Sequence, residues 1–249
     1  MILATNIGNT NIRVALGCPN LFKQAVFYAH EDDFIGQIEA RLFSGDKMMW
    51  DKITDNIIAT VVPEQTDMVI SALYQKTQKP VKRIDIRNCG NLRTNQYEGL
   101  LGEDRVVCCA RALQKYQPPF AVIDFGTATT INIVNKNGEF LGGAILPGLL
   151  TGLNALNRKT AQLPLIERIE RMDESIPLIG KNTIENLVSG AVIGMACATQ
   201  GFISRVEEEL ACKLNIVVTG GHTEKILPHC HFDYIHEPTL LLEGLLGLV

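Results

Sequence analysis

The chain has 249 residues, with 23 basic and 27 acidic side chains and a net charge of −4. Such a length buries a sizeable core, as one large domain or as two of about 120 residues, and a near-neutral balance with no long basic run argues against nucleic-acid binding. Seven cysteines, an odd number without paired spacing and several of them in apolar runs, fit core thiols in a reducing, cytoplasmic setting. The opening MILATNIGNT lacks the basic flank and apolar length of a signal peptide. No stretch approaches the roughly 20 apolar residues of a membrane span, so no membrane is expected.

In chain order, residues 2–6, 11–17 and 23–29 read as a three-strand meander, turning at Gly8-Asn9 and at Gly17-Cys18-Pro19-Asn20. Residues 31–44 place Phe34, Ile35, Ile38 and Leu42 at helical spacing. Ile57–Val62 reads as a buried strand, and Pro63 then opens a helix to about Gln75. A strand at 81–86 is followed by a polar loop over 87–101 and a helix from Asp104 to Tyr116. Pro118-Pro119 breaks that helix and sets a domain boundary, giving domains 1–118 and 119–249, with the last helix able to pack back on the first. The second half restarts with strands at 120–124, 129–135 and 139–146, the last two joined by Asn135-Lys136-Asn137-Gly138. A helix follows from Pro147-Gly148 to about Asn157, then irregular chain over 158–180 and a long helix from Asn182 to about Cys212. Leu214–Val218 is a strand ending in Thr219-Gly220-Gly221, and Pro238–Val249 is an apolar helix. Mixed strands with covering helices make this an α/β chain.

Residues 4–13, ATNIGNTNIR, and 122–131, VIDFGTATTI, repeat one design. Each has an apolar strand, an Asn or Asp, a Gly, then small polar residues leading into another strand. Aligned without a gap, Asn6 meets Asp124, Gly8 meets Gly126, Asn9 meets Thr127 and Asn11 meets Thr129. A Gly-centred turn lets a phosphate approach backbone N–H groups, and short hydroxyl and amide side chains add donors. Two such turns suggest two halves clasping one nucleotide; two ordinary hairpins are the plainer alternative. Gly102-Glu103-Asp104-Arg105 reads alone as a helix start with acidic residues in its first turn, and Thr183 as a helix cap. His229-Cys230-His231 with His236 lacks the spacing of structural zinc sites. Cys108-Cys109 fits the core side of its helix. The small residues from Gly190 to Ala198 suit close helix packing, in a core or at a dimer interface.

These segments resemble the type III pantothenate kinases of the acetate kinase, sugar kinase, Hsp70 and actin superfamily. The matching pieces run in family order across nearly the whole chain: NIGNTNIR, VVPE at 61–64, YEGLLGEDR at 97–105, DFGTATTINIV at 124–134, GGAILPG at 142–148, IGKNT at 179–183 and TGG at 219–221. The resemblance implies two ribonuclease-H-like (actin-like ATPase) domains, a homodimer, and transfer of the ATP γ-phosphoryl group to pantothenate, the first step of coenzyme A synthesis. It implies Mg2+ and a monovalent cation, K+ or NH4+. It places ATP against Asn6, Ile7, Gly8, Asn9, Thr10, Asn11, Ile12 and Arg13 and against Thr127, with Thr219-Gly220-Gly221 near the adenosine. It places pantothenate against Tyr97, Gly102, Glu103, Asp104, Arg105 and Thr183, with the site shared across the dimer. Asp104 falls at the proton-acceptor position and Asp124 at the monovalent-cation position.

One departure stands out: the family begins its first turn with Asp, and this chain has Asn6. Asn keeps the shape and one carbonyl oxygen but loses a charge suited to magnesium. The alternative to an active kinase is therefore a weak or inactive paralogue that binds nucleotide or pantothenate as a regulator. A sugar or acetate kinase is disfavoured by GEDR and IGKNT.

Overall fold

The computed structural model describes residues 1–29, 33–167, 169 and 176–248. The chain divides into two compact units. The first comprises Met1–Tyr116, Gly138–Phe140 and Thr239–Val249, and the second Gln117–Asn137 and Leu141–Pro238.

In the first unit the strands are β1 (Ile2–Ile7), β2 (Asn11–Cys18), β3 (Leu21–Tyr28), β4 (Asp55–Thr60) and β5 (Val81–Arg83), in the sheet order β3-β2-β1-β4-β5. The meander is antiparallel, whereas β4 and β5 run parallel to β1. Period-two alternation points Leu3, Ile7, Ile12, Val14 and Leu16 into one core with α1 (Phe34–Arg41) and α2 (Pro63–Thr77). Pro63 takes the first helical position of α2, where its missing N–H costs nothing. The other face meets α3 (Glu103–Lys115) and α7 (Leu240–Leu246). Residues 31 and 32, expected as the start of a helix, lie outside the described residues. So do 168 and 170–175 of the expected irregular segment, and Val249. A 3₁₀ turn at Lys47–Lys52, which no periodicity announced, seats buried Trp50 edge-on to Phe43 at 4.7 Å.

The second unit repeats the plan. Its strands β6 (Phe120–Phe125), β7 (Ala128–Val134), β8 (Phe140–Pro147), β9 (Asn215–Thr219) and β10 (Ile235–His236) lie in the order β8-β7-β6-β9-β10. Position for position this is the order of the first sheet. Two mixed five-stranded sheets of this order, covered by helices, make two ribonuclease-H-like units. Ile123, Phe125, Ile131 and Ile133 pack with α4 (Leu149–Lys159), α5 (Thr183–Leu210) and the short α6 (Thr223–Ile226).

Two sequence expectations need correction. The gapless alignment of the turns fails beyond the glycines. Gly8 N–H donates to Asn11 O at 3.0 Å, and Gly126 N–H to Ala128 O at 3.2 Å. Asn11 therefore matches Ala128 and Arg13 matches Thr130, because the first turn carries one extra residue. A one-residue slip in a strand exchanges its faces, and the slip would have put Arg13 where Ile131 is buried. The second concerns α5, whose 28 residues are long and apolar enough to cross a membrane. Its Leu187, Val188, Val192, Ala196 and Ile203 belong to the second unit's core, which accounts for the apolar stripe.

Candidate functional site

In the first unit the predicted residues gather at the carboxyl ends of β1 and β4. Asn6 and Arg13 are cross-strand partners on the sheet face opposite the Leu3–Ile7–Val14 core. Ile7 and Ile12 are buried in that core, so only their main chain is left to face a ligand. Asn9 and Thr10 are exposed at the tip, and Ile7 O accepts from Val61 N–H at 3.1 Å. Asn6 is 6% exposed, and its Oδ1 is a buried oxygen with no hydrogen-bond donor. An orphaned buried oxygen at a strand end needs an explanation, and a bound cation or a water it holds supplies one.

The start of α3 lies beside this turn. Gly102 ends the 97–102 loop at 3.7 Å from Val61, measured to the Cβ an alanine would carry. Asp104 is half-buried, and its Oδ1 accepts from Arg105 N–H at 2.8 Å. Burial raises its pKa above the ordinary carboxylate value, against the pull of the Arg105 N–H and of the Arg105 and Arg13 charges. A half-buried carboxyl with a raised pKa at the start of a helix is a candidate proton acceptor. Arg105 is 8% exposed, with its guanidinium 5.9 Å from the Tyr97 ring centre and 5.5 Å from that of Phe140. The two rings meet edge-to-face at 5.4 Å. Phe140, fully buried, was not foreseen as part of this group. It reaches the first unit because Arg93 pairs with the residues at either side of Glu139, through Arg93 N–H to Gly138 O and Phe140 N–H to Arg93 O at 3.0 and 2.8 Å.

The second unit holds the other group. Asp124, next to last in β6, is hemmed by glycines: a Cβ on Gly126 would stand 3.1 Å from its Oδ1, and one on Gly220 2.5 Å. Gly220 has φ +108, a backbone conformation that L side chains rarely adopt. Gly148 caps α4 and donates its N–H to Thr127 O at 3.0 Å, while Thr151 Oγ1 donates to the same oxygen at 2.6 Å. The second turn is thereby clamped between the loop after β9 and the start of α4. Thr183 is exposed at the start of α5, but the cap is Asn182, whose Oδ1 accepts from Glu185 N–H at 2.9 Å. Thr183 lines an apolar groove of about 580 Å³ between α4 and α5, with Gly148 and Gly190. Among the described residues no three His, Cys, Asp or Glu side chains form a metal cluster, the histidines at 229–236 included. Cys108 and Cys109 are both buried on α3.

Both turns therefore sit at carboxyl ends of parallel strands, the usual ligand position in such sheets, and each has a carboxamide or carboxylate oxygen two residues before its glycine. The fold and these groups define an α/β protein of two like-built units, each with a glycine turn at the carboxyl end of its sheet. Two solved structures share the fold. One is a Campylobacter jejuni protein described as a conserved putative Baf family transcriptional activator (TM-score 0.59, 19% identity, covering 97% of this chain and 94% of that one). The other is the ethanolamine utilization protein EutJ of Carboxydothermus hydrogenoformans (TM-score 0.51, 16% identity, 99% and 88%). Within that class, the type III pantothenate kinase family model matches residues 2–205, and the chain belongs to that family. Proteins named type III pantothenate kinase from Persephonella marina and Agathobacter rectalis are 34% and 32% identical to it. The first alignment covers 86% of this chain and 82% of the relative, the second 98% and 95%.

Proposed function

We propose that the chain phosphorylates pantothenate to 4'-phosphopantothenate with ATP, in the cytoplasm and as a homodimer. The observation that carries this reading is the raised, half-buried Asp104 carboxyl beside a glycine turn and a ring-held arginine. Asp104 accepts the proton of the primary hydroxyl, the hydroxyl oxygen bonds to the γ-phosphorus, and the bond to the β-phosphate oxygen breaks to release ADP. The Asn6–Arg13 and Gly126–Thr127 turns receive phosphate oxygens, and the Arg13 and Arg105 charges offset the anions. Tyr97, Gly102, Arg105 and Thr183 hold pantothenate. The two cations fit the residues present: Asn6 Oδ1 offers a buried oxygen to Mg2+, and the buried Asp124 Oδ1, with Ala128 O near the same glycine, suits K+ or NH4+. When bound, they neutralise phosphate charge.

A second reading, a regulator that binds without turnover, is favoured by Asn6 alone. Measuring ATP- and magnesium-dependent phosphopantothenate formation by the chain and by Asn6→Asp separates the two. Product from the chain is expected, with a gain of roughly 10²-fold in kcat for the variant if the lost charge acts in the transition state. No product from either protein, with pantothenate still bound, refutes the kinase.

A further inference from the structure

Glu103 was expected to touch the substrate, yet its carboxylate is committed inside the first unit. The residue is 7% exposed. Its Oε2 accepts the Thr60 N–H at 2.8 Å and its Oε1 accepts the Arg83 Nε–H at 2.8 Å. Thr60 is the last residue of β4 and Arg83 the last of β5. One side chain thus gathers two strand ends onto the first turn of α3. The Thr60 hydroxyl is itself tied down, accepting from Val62 N–H at 3.1 Å and lying 2.9 Å from Thr66 Oγ1. The next residue is Asp104, packed so closely that a Cβ on Gly102 would come 2.6 Å from its Oδ1.

We propose that Glu103 is a positioning residue: it sets where α3 begins, and so where the Asp104 carboxylate points, without contacting the phosphoryl acceptor. The inference rests on the reading of Asp104 as base. The two bonds differ in weight. Arg83 is half exposed, so its ion pair is screened by water. The Thr60 N–H is buried, and leaving it without an acceptor is the larger loss. The length of the side chain therefore matters more than its charge.

That ordering supplies the test. Glu103→Gln keeps one acceptor at the right reach for the buried Thr60 N–H and gives up the charge and the acceptor for the half-exposed Arg83, whose guanidinium can turn to water; Glu103→Asp keeps the charge and falls short of Thr60. With the full chain, kcat is expected to drop less than fivefold for Glu103→Gln. It is expected to drop more than tenfold for Glu103→Asp and about 10²-fold for Glu103→Ala, since misplacing a reacting group by about 1 Å has that effect. KM for ATP stays within twofold throughout. A carbon-13 titration of the Asp104 carboxyl, read without turnover, should move down toward the ordinary value of about 4 in Glu103→Asp as its burial is lost. The reverse order of the Asp and Gln variants, or a raised KM for pantothenate at unchanged kcat, makes Glu103 a direct ligand and overturns the proposal. An unmoved Asp104 titration overturns it as well. If the unaltered chain makes no phosphopantothenate, the kinase reading fails separately, and the titration still decides the role of Glu103.

Discussion

Replacing Gly148 with alanine adds one methyl group to the N-cap of α4, which presses on the second turn. The backbone there has φ −68 and ψ 168, which alanine adopts freely, so the perturbation is purely steric. The new Cβ would lie 2.2 Å from Gly126 O and 2.3 Å from Thr127 O. Ordinary non-bonded separations begin near ~3.5 Å, so turn and helix must part by about 1 Å. Overpacking of this kind costs about 2 kcal/mol, which for a chain of this length lowers Tm by about 6 °C. The catalytic effect should be larger. A turn displaced by about 1 Å offers its N–H groups to phosphate in the wrong place, and kcat/KM for ATP should fall about 10²-fold. Steady-state kinetics at varied ATP with parallel calorimetry measures both. Gly201→Ala is the control: its Cβ meets nothing within 4 Å inside α5, so it should gain roughly 1 kcal/mol with activity unchanged. A Gly148→Ala enzyme with kcat/KM for ATP within twofold of the unaltered chain would refute the phosphate role of the 126–128 turn.

Asp104→Asn should abolish turnover while leaving ATP affinity, measured by calorimetry, nearly intact. Because burial raises the pKa of folded Asp104, its contribution to stability is fully present below the unfolded value and is lost as pH rises through the folded one. The Asn variant should accordingly melt higher than the parent at pH 8 and gain nothing at pH 3; a lower Tm at pH 8 would contradict this. The acid limb of kcat/KM for the unaltered enzyme should lie above the ordinary carboxylate value of about 4. Glu243 has the opposite sign. Burial opposes its charge, but bonds from Thr239, Arg111 and Lys115 outweigh that and lower its pKa. Its stabilisation is present at neutral pH and disappears as pH falls below about 4 toward the folded value. Glu243→Ala should cost about 3 kcal/mol in urea unfolding at pH 7, and the gap should narrow in acid.

Much of this was legible in the residues. Strong period-two and 3.6-residue patterns located nearly every long element, since those are the patterns that build the two cores around Ile7–Val14 and Ile123–Ile131. The strand pairs of the turns were visible too, but their register was not. Only the Gly8–Asn11 and Gly126–Ala128 bonds reveal the extra residue in the first turn. The short pieces escaped because they have no period: the 3₁₀ turn under Trp50 and the two-residue β10 are held by one buried ring and by main-chain pairing with β9. Phe140 and the partners of Glu103 escaped for another reason. They join the Asp104 group across 20 to 43 residues of chain, through contacts that sequence spacing does not encode.

Helix α7 carries a consequence for how the molecule is made. Leu240, Leu241, Leu242, Leu245 and Leu246 are buried, and Gly244 lies so close to Val107 that a Cβ would come 2.7 Å from it. These residues belong to the first unit but follow the whole of the second in the chain. A ribosome therefore releases the amino-terminal sheet with one side of β1, the strand bearing Asn6, bare of its leucine cover. The strand leading into the Gly8 turn waits on residues 239–248, and a nascent chain stalled short of them leaves that apolar flank uncovered.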